Sequence, residues 1–236
     1  MVTDSLCKQE FSSIDPEKNL AWRALQSLFP FGPPYGVSIK KRIPLGGGLG
    51  GGSSNAGTIL RHFKTPSPEL IESALSLGAD VPFFLQSKPA WVTGVGEKVH
   101  PLFWQPENRL YFLLVLLPEP TPTKAVFDEL RRKNSFSRSF LFPTRQSLTI
   151  DSLRHYLEHV KNDLEAPAEA VNPLISLVLK QLRALPARHV ALSGSGSTCF
   201  ALFDDEAARQ ESDKAIQQFC RDHQCRTLSV ETFTET

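Results

Sequence analysis

The chain has 236 residues, enough to bury a substantial core in one large domain or two small ones. Its 26 Lys and Arg against 25 Asp and Glu leave a formal +1, which argues against nucleic-acid binding through a basic footprint and against an acidic tail. The opening MVTDSLCKQEFSS shows no basic stretch leading into an apolar one, so no secretory signal is expected. LYFLLVLLP at 110–118, the most apolar run, is too short to cross a bilayer as a helix. A cytoplasmic location without a membrane partner follows as the expectation, with Cys7, Cys199, Cys220 and Cys225 as reduced thiols.

Asp15-Pro16 ahead of EKNLAWRALQSLF predicts a helix with Asp15 at the N-cap and Pro16 at the first helical position. Leu20, Ala24, Leu25 and Leu28 then share one face. YGVSIKKRIP at 35–44 reads as a strand ended by Pro44. SNAGTILRHF at 54–63 reads as a helix weakened by Gly57, and SPELIESALSL at 67–77 as a second with strong start signals. VPFFLQ, AWVTGVGEKVH and RLYFLLVLL are strand-like. The three prolines of PEPTPTKAVF at 118–127 mark a domain boundary, giving 1–117 and 118–236. Helices are expected near 123–133, 149–161 and 168–184, followed by strand RHVALS, turn GSG, strand STCFALF, a helix capped by Asp204 or Asp205, and strand CRTLSVETF. No internal repeat is present. The fold class is α+β in two lobes.

KKRIPLGGGLGGGSSNAGTILRHF at 40–63 holds six glycines in seven positions, and then two serines. On composition alone it could be a linker. With a strand entering and a helix leaving, however, it presents a helix N-terminus, where unpaired amides and the dipole favour an anion. Glycines admit positive φ and close approach of phosphate oxygens, and Ser53 and Ser54 add hydroxyls for a phosphate or a metal on it. A dinucleotide site needs an acidic residue ending a second parallel strand about 20 residues on, and here Glu69 and Glu72 lie in a predicted helix. A Walker loop needs Lys after its last glycine, whereas Ser53 follows Gly52. Neither H-R-D nor D-F-G is present for a protein kinase.

Pro44-Leu45-Gly46-Gly47-Gly48-Leu49-Gly50-Gly51-Gly52-Ser53-Ser54-Asn55 resembles the phosphate-binding motif of the GHMP kinases, P-x-x-x-G-L-G-S-S. The doubled glycine triplet is similar to the branch acting on 4-diphosphocytidyl-2-C-methyl-D-erythritol. LGADVPFF at 77–84 resembles the family's G-A-D-V-P-F, and LSGSGSTCFALF at 192–203 its third motif. NDLE at 162–165 and GVGEKVHPL at 94–102 look like this family as well. The resemblance runs from about Asn19 to near the C-terminus.

It implies a two-lobe GHMP kinase fold with a ferredoxin-like C-terminal lobe, and ATP-dependent phosphorylation of the 2-hydroxyl of that small-molecule substrate in the non-mevalonate isoprenoid route. It further implies that Gly46 to Ser54 hold the triphosphate with Mg²⁺ on its oxygens, that Gly194, Ser195 and Gly196 cap the phosphates, and that Asn19 and Lys41 border the adenine. Asp80 would be the catalytic base; on its residues alone it reads as a turn residue. The family's opening P-A-K-L-N-L strand, whose Lys pairs with the catalytic Asp, and its G-[YF]-H have no counterpart, so an incomplete N-terminal lobe is expected. A wrong start codon or a shortened, impaired nucleotide binder would each explain this. Another GHMP small-molecule kinase also stays open. HYLEH at 155–159 fits the zinc pattern H-x-x-E-H, and Cys220, His223 and Cys225 approach a structural zinc set, although neither has its remaining ligands.

Overall fold

The computed structural model describes residues 2–4, 10–11, 15–86, 88–104, 109–133, 147–148, 156–157 and 160–232. Most of the helix expected at 149–161, the H-x-x-E-H histidines inside it and Cys7 fall outside them. The chain divides into two compact units, Met1–Leu45 with Gly50–Phe103, and Gly46–Leu49 with Trp104–Thr236.

In the first unit, β1 (Val2–Asp4) pairs antiparallel with β2 (Glu10–Phe11) and parallel with β3 (Lys40–Lys41). Helices α1 (Leu20–Leu28), α2 (Gly51–Phe63) and α3 (Pro68–Leu77) follow. Ala24 and Ala56 are both fully buried, small enough to let α1 and α2 approach closely, and Leu60, Leu70, Ala74, Leu77, Val81 and Leu85 complete that core. Strands β4 (Ala90–Thr93) and β5 (Lys98–Pro101) form a hairpin.

Local signals mislead at three points here. Asp15 opens only a 3₁₀ turn, Pro16–Lys18; the helix starts one turn later, capped by Asn19, whose Oδ1 accepts from the Ala21 amide at 3.1 Å. The strand expected over 35–44 shrinks to β3. VPFFLQ is a 3₁₀ helix, Pro82–Leu85, because Pro82 pre-sets a helical φ and the buried pair Pro82 and Leu85 repeats every three residues, not every two.

The second unit is built on an antiparallel sheet ordered β11 (Arg226–Glu231), β7 (Tyr111–Leu116), β10 (Cys199–Phe203), β9 (His189–Leu192). β6 (Phe103–Trp104) and β8 (Ser147–Leu148) pair separately. Helices α4 (Thr123–Lys133), α5 (Glu165–Val171), α6 (Pro173–Arg183) and α7 (Glu206–Asp222) complete it. Taking β7, β9, β10 and β11 as first to fourth, their order across the sheet is fourth, first, third, second, the ferredoxin-like arrangement. Alternate residues Leu113 and Val115 on β7 and Cys199, Ala201 and Phe203 on β10 are buried with Ile175, Val178, Leu179, Leu182 and Ile216. β7 belongs to this sheet, so the boundary expected at 118 follows a strand of the second unit. The helix expected over 168–184 is two. Pro173 has no N–H to continue the ladder, and Asn172 caps the new start by accepting from the Leu174 amide at 3.2 Å.

His189 on β9 is half-buried, and that burial lowers its pKa against the opposing pull of the Glu165 carboxylate. Unfolded histidine titrates near about 6.5, so on acidification the unfolded chain takes the proton first. Its contribution is therefore fully present above about pH 6.5 and declines as pH falls below that. The urea midpoint of His189→Asn should fall less steeply than wild type below this pH; equal slopes would remove His189 as the cause.

Candidate active site

The glycine stretch is built from left-handed residues: Gly46, Gly48 and Gly50 have φ of 67°, 73° and 65°. Gly50 is the N-cap of α2 and supplies no side-chain cap, so the first-turn amides face outward from the helix end. The first helical bond runs from the Ser54 amide to the Gly50 carbonyl at 2.8 Å, and the Ser54 hydroxyl donates to the Gly51 carbonyl at 3.0 Å. Lys41 is buried, and its Nζ lies 3.2 Å from where a Cβ on Gly51 would stand. It adds positive charge beside the positive end of α2, where a phosphate is the complementary chemistry. A cavity of about 150 Å³ opens there between Ile39, Lys41, Ile43, Gly51 and Asn55.

Asp80 is exposed in the turn that follows Gly78, the C-cap of α3. The Val81 amide closes that turn on the Gly78 carbonyl at 3.0 Å. On its far side, α2 is seated by Gly57: a Cβ there would come within 2.6 Å of the Phe84 Cβ, so the glycine that weakens the helix locally is required by the 3₁₀ helix after Asp80. Gly96, at φ 116°, leaves room for the Ala79 carbonyl, which an added Cβ would meet at 1.9 Å. The adjoining Glu97 carboxyl is held below the usual carboxylate range by the amides of Glu97 and Val95, the latter donating to it at 2.8 Å.

Gly96→Ala must therefore push the Ala79–Asp80 peptide and the hairpin turn at Gly96 apart. If Asp80 acts on the reacting hydroxyl, misplacement by about 1 Å costs on the order of 100-fold in turnover. ATP affinity should be kept. Steady-state kinetics beside calorimetry checks this; unchanged turnover would show that the turn's position is immaterial.

In the second unit the two glycine motifs meet. The Thr198 amide donates to the Gly47 carbonyl at 3.2 Å and the Ser193 hydroxyl to the Gly48 carbonyl at 2.9 Å. Gly194 and Gly196 are left-handed, with φ of 58° and 92°. The Ser195 hydroxyl lies 3.0 Å from that of Thr123 at the start of α4. Of the sequence candidates, Gly46 to Leu49 thus come together with Gly194 to Gly196, and Lys41 comes together with the start of α2 that carries Gly51, Gly52, Ser53 and Ser54. Asn19 serves as a helix cap, while Pro44 and Leu45 lead into the loop. Ser193 and Thr198, which tie the two motifs, and Thr123, which meets Ser195, were not among the candidates; the first two lay within the 192–203 stretch, whereas nothing local marks Thr123. Cys220 and Cys225 are buried and their thiols are raised by that burial, Cys225 to about 11. Among the described residues no group of three His, Cys, Asp or Glu could hold a metal ion, so Cys220, His223 and Cys225 do not assemble one. No helix among them is long and apolar enough to cross a membrane.

An uncapped helix end fed by left-handed glycines suits phosphate oxygens, and it stands in an α+β chain with a ferredoxin-like unit; similarity to known proteins gives the class, a small-molecule kinase. The family descriptions GHMP kinases N terminal domain and GHMP kinases C terminal match residues 19–88 and 147–222. A 4-diphosphocytidyl-2-C-methyl-D-erythritol kinase of Jannaschia sp. (strain CCS1) is 34% identical over 200 residues, covering 84% of this chain and 70% of the relative. One from Syntrophotalea carbinolica is 38% identical over 198 residues, covering 80% and 68%. A crystal structure of a 4-(cytidine 5'-diphospho)-2C-methyl-D-erythritol kinase superposes with a TM-score of 0.66 at 30% identity, covering 95% of this chain and 81% of that one. The chain belongs to the GHMP kinase family.

Proposed function

We propose that this protein is an ATP-dependent kinase that phosphorylates the 2-hydroxyl of 4-diphosphocytidyl-2-C-methyl-D-erythritol, within the non-mevalonate route to isopentenyl diphosphate. The observation that carries the reading is the glycine loop: left-handed at Gly46, Gly48 and Gly50, tied at Gly47 and Gly48 to the Ser193–Thr198 segment, and ending on a helix start without a side-chain cap. Relatives bearing the same kinase name support the choice of acceptor.

In this reading the amides of Gly46 to Ser53 and of Gly194 and Ser195 take the phosphates, those of Ser54 and Gly196 being bonded to the Gly50 and Ser193 carbonyls, and Lys41 supplies charge at the α2 start. Asn19 has its carbonyl oxygen engaged in the helix cap, so the amide's N–H donors are what it offers an adenine. Asp80 accepts the proton of the attacking hydroxyl, and the remaining work is positioning and neutralisation of charge. Mg²⁺ suits this donor set: it keeps several waters and binds chiefly through phosphate oxygens, so a carboxylate cluster is not required. The Ser54 hydroxyl, whose proton goes to the Gly51 carbonyl, presents its oxygen as the protein's ligand. When bound, the ion neutralises charge on the phosphate oxygens.

The test offers MgATP with the cytidyl substrate, homoserine or mevalonate, and follows ADP release and the phosphorylated product by ³¹P NMR. Phosphorylation of the cytidyl substrate alone is expected. Turnover of another acceptor alone would overturn the substrate assignment, and ATP binding without ADP release would favour a nucleotide-binding protein.

A further inference from the structure

We propose that Asn162 is a positioning residue for the nucleotide phosphates, acting through the Ser193–Gly196 turn with Glu165 as its partner; this rests on the kinase reading above. The N-D-L-E stretch stood out in the sequence without a role, and the structure puts both of its outer residues against the end of β9. The Asn162 amide makes three hydrogen bonds. Its Nδ2 donates to the Leu192 carbonyl at 3.0 Å and to the Gly194 carbonyl at 2.7 Å, and its Oδ1 accepts from the Leu164 amide at 3.0 Å. Glu165 accepts from the Leu192 amide at 3.2 Å through Oε2, while Oε1 meets the Arg183 guanidinium. Leu192 is thus held by both its N–H and its C=O, immediately before the turn that locks onto Gly48.

The consequence follows from peptide planarity. In a trans peptide the carbonyl and the next N–H point in opposite directions. Tying the Gly194 carbonyl to Asn162 therefore aims the Ser195 N–H away from Asn162, and keeps the Gly194 oxygen from rotating to the side where a phosphate would be repelled. The Ser193 N–H is already committed to the Thr198 carbonyl at 2.9 Å. The orientation that Asn162 sets is accordingly that of the Ser195 amide, a donor inside the phosphate-capping motif. A side chain with both a double donor and an acceptor is needed, which Asn supplies and Asp does not.

The experiment compares wild type with Asn162→Ala and Asn162→Ser, measuring MgATP affinity by calorimetry and adenosine affinity by ligand-observed NMR. Serine keeps a short acceptor for the Leu164 amide, as in an ST turn, and so removes only the two bonds to the turn. Both variants should bind ATP about tenfold or more weakly, with adenosine affinity within about twofold of wild type because the turn acts on phosphates alone. ATP affinity unchanged in the serine variant would overturn the proposal. Parallel loss of ATP and adenosine would also overturn it, as the mark of a general structural role. Wild-type protein that binds adenosine but gains nothing from the phosphates of ATP would instead remove the kinase reading on which the inference stands.

Discussion

Asp80→Asn should lower turnover by about 100- to 10,000-fold while leaving ATP affinity within about threefold of wild type, the signature of a lost general base. Asn keeps the shape of the side chain but loses its negative charge and with it the capacity to accept a proton. The turn that carries it is fixed by other groups: the Val81 amide on the Gly78 carbonyl, the rigid φ of Pro82, and Ala79 packed where Gly96 leaves room. Asp80 is itself exposed, so the substitution should move stability by no more than about 0.5 kcal/mol. Single-turnover kinetics with the cytidyl substrate, alongside calorimetry with ATP and a thermal melt, separates the possibilities. Turnover near wild type would remove Asp80 from the chemistry. A parallel fall in ATP affinity and melting temperature would make it a turn residue, which is what its local sequence alone suggests.

Elements whose signals are local were legible in the sequence. Ser67-Pro68 announces α3, and the Ser67 hydroxyl does accept from the Leu70 amide at 3.2 Å. Asp205 caps α7 by accepting from the Ala208 amide at 2.8 Å. The strands of the second unit were identifiable from their apolar runs, and the glycine loop from its flanks. What was hidden depends on partners far along the chain. Gly57 looks like a flaw in a helix until Phe84 is placed against it. The apolar run at 81–86 has the composition of a strand and the period of a 3₁₀ helix. Gly46 to Leu49 adjoin α2 in sequence yet are held by residues 145 and more positions away, as the Ser193–Gly48 bond shows. No local propensity encodes such a contact, so the stretches that hold Ser193 and Asn162 could be singled out, but the roles of the two side chains could not be read until the backbone that they grip is known.

That grip gives a second substitution a large effect. At Gly48 the backbone has φ 73°, and an added Cβ would stand 2.3 Å from the Ser193 carbonyl oxygen and 2.8 Å from that of Gly196. Both obstacles are backbone, so no rotamer change relieves them. Left-handed geometry alone costs an L-residue about 1–2 kcal/mol. To escape the overlap, the loop must move off the turn and weaken the Ser193–Gly48 and Thr198–Gly47 hydrogen bonds, each of which contributes about 0.5–1.5 kcal/mol. Together these terms make the phosphate-holding conformation of Gly48→Ala about 2–5 kcal/mol harder to reach. ATP affinity should then fall by about 30-fold or more. Gly36→Ala is the control, since a Cβ at Gly36 meets nothing within 4 Å, and it should bind ATP as wild type does. Calorimetric titration of the two variants decides the matter. Wild-type affinity in Gly48→Ala would mean that ATP is held without the loop being locked to the turn. Loss of the second unit's fold, seen by circular dichroism, would assign the two bonds to stability ahead of binding. Weak ATP binding in a folded protein would locate the phosphate site at the place where the first glycine triplet meets the second glycine motif.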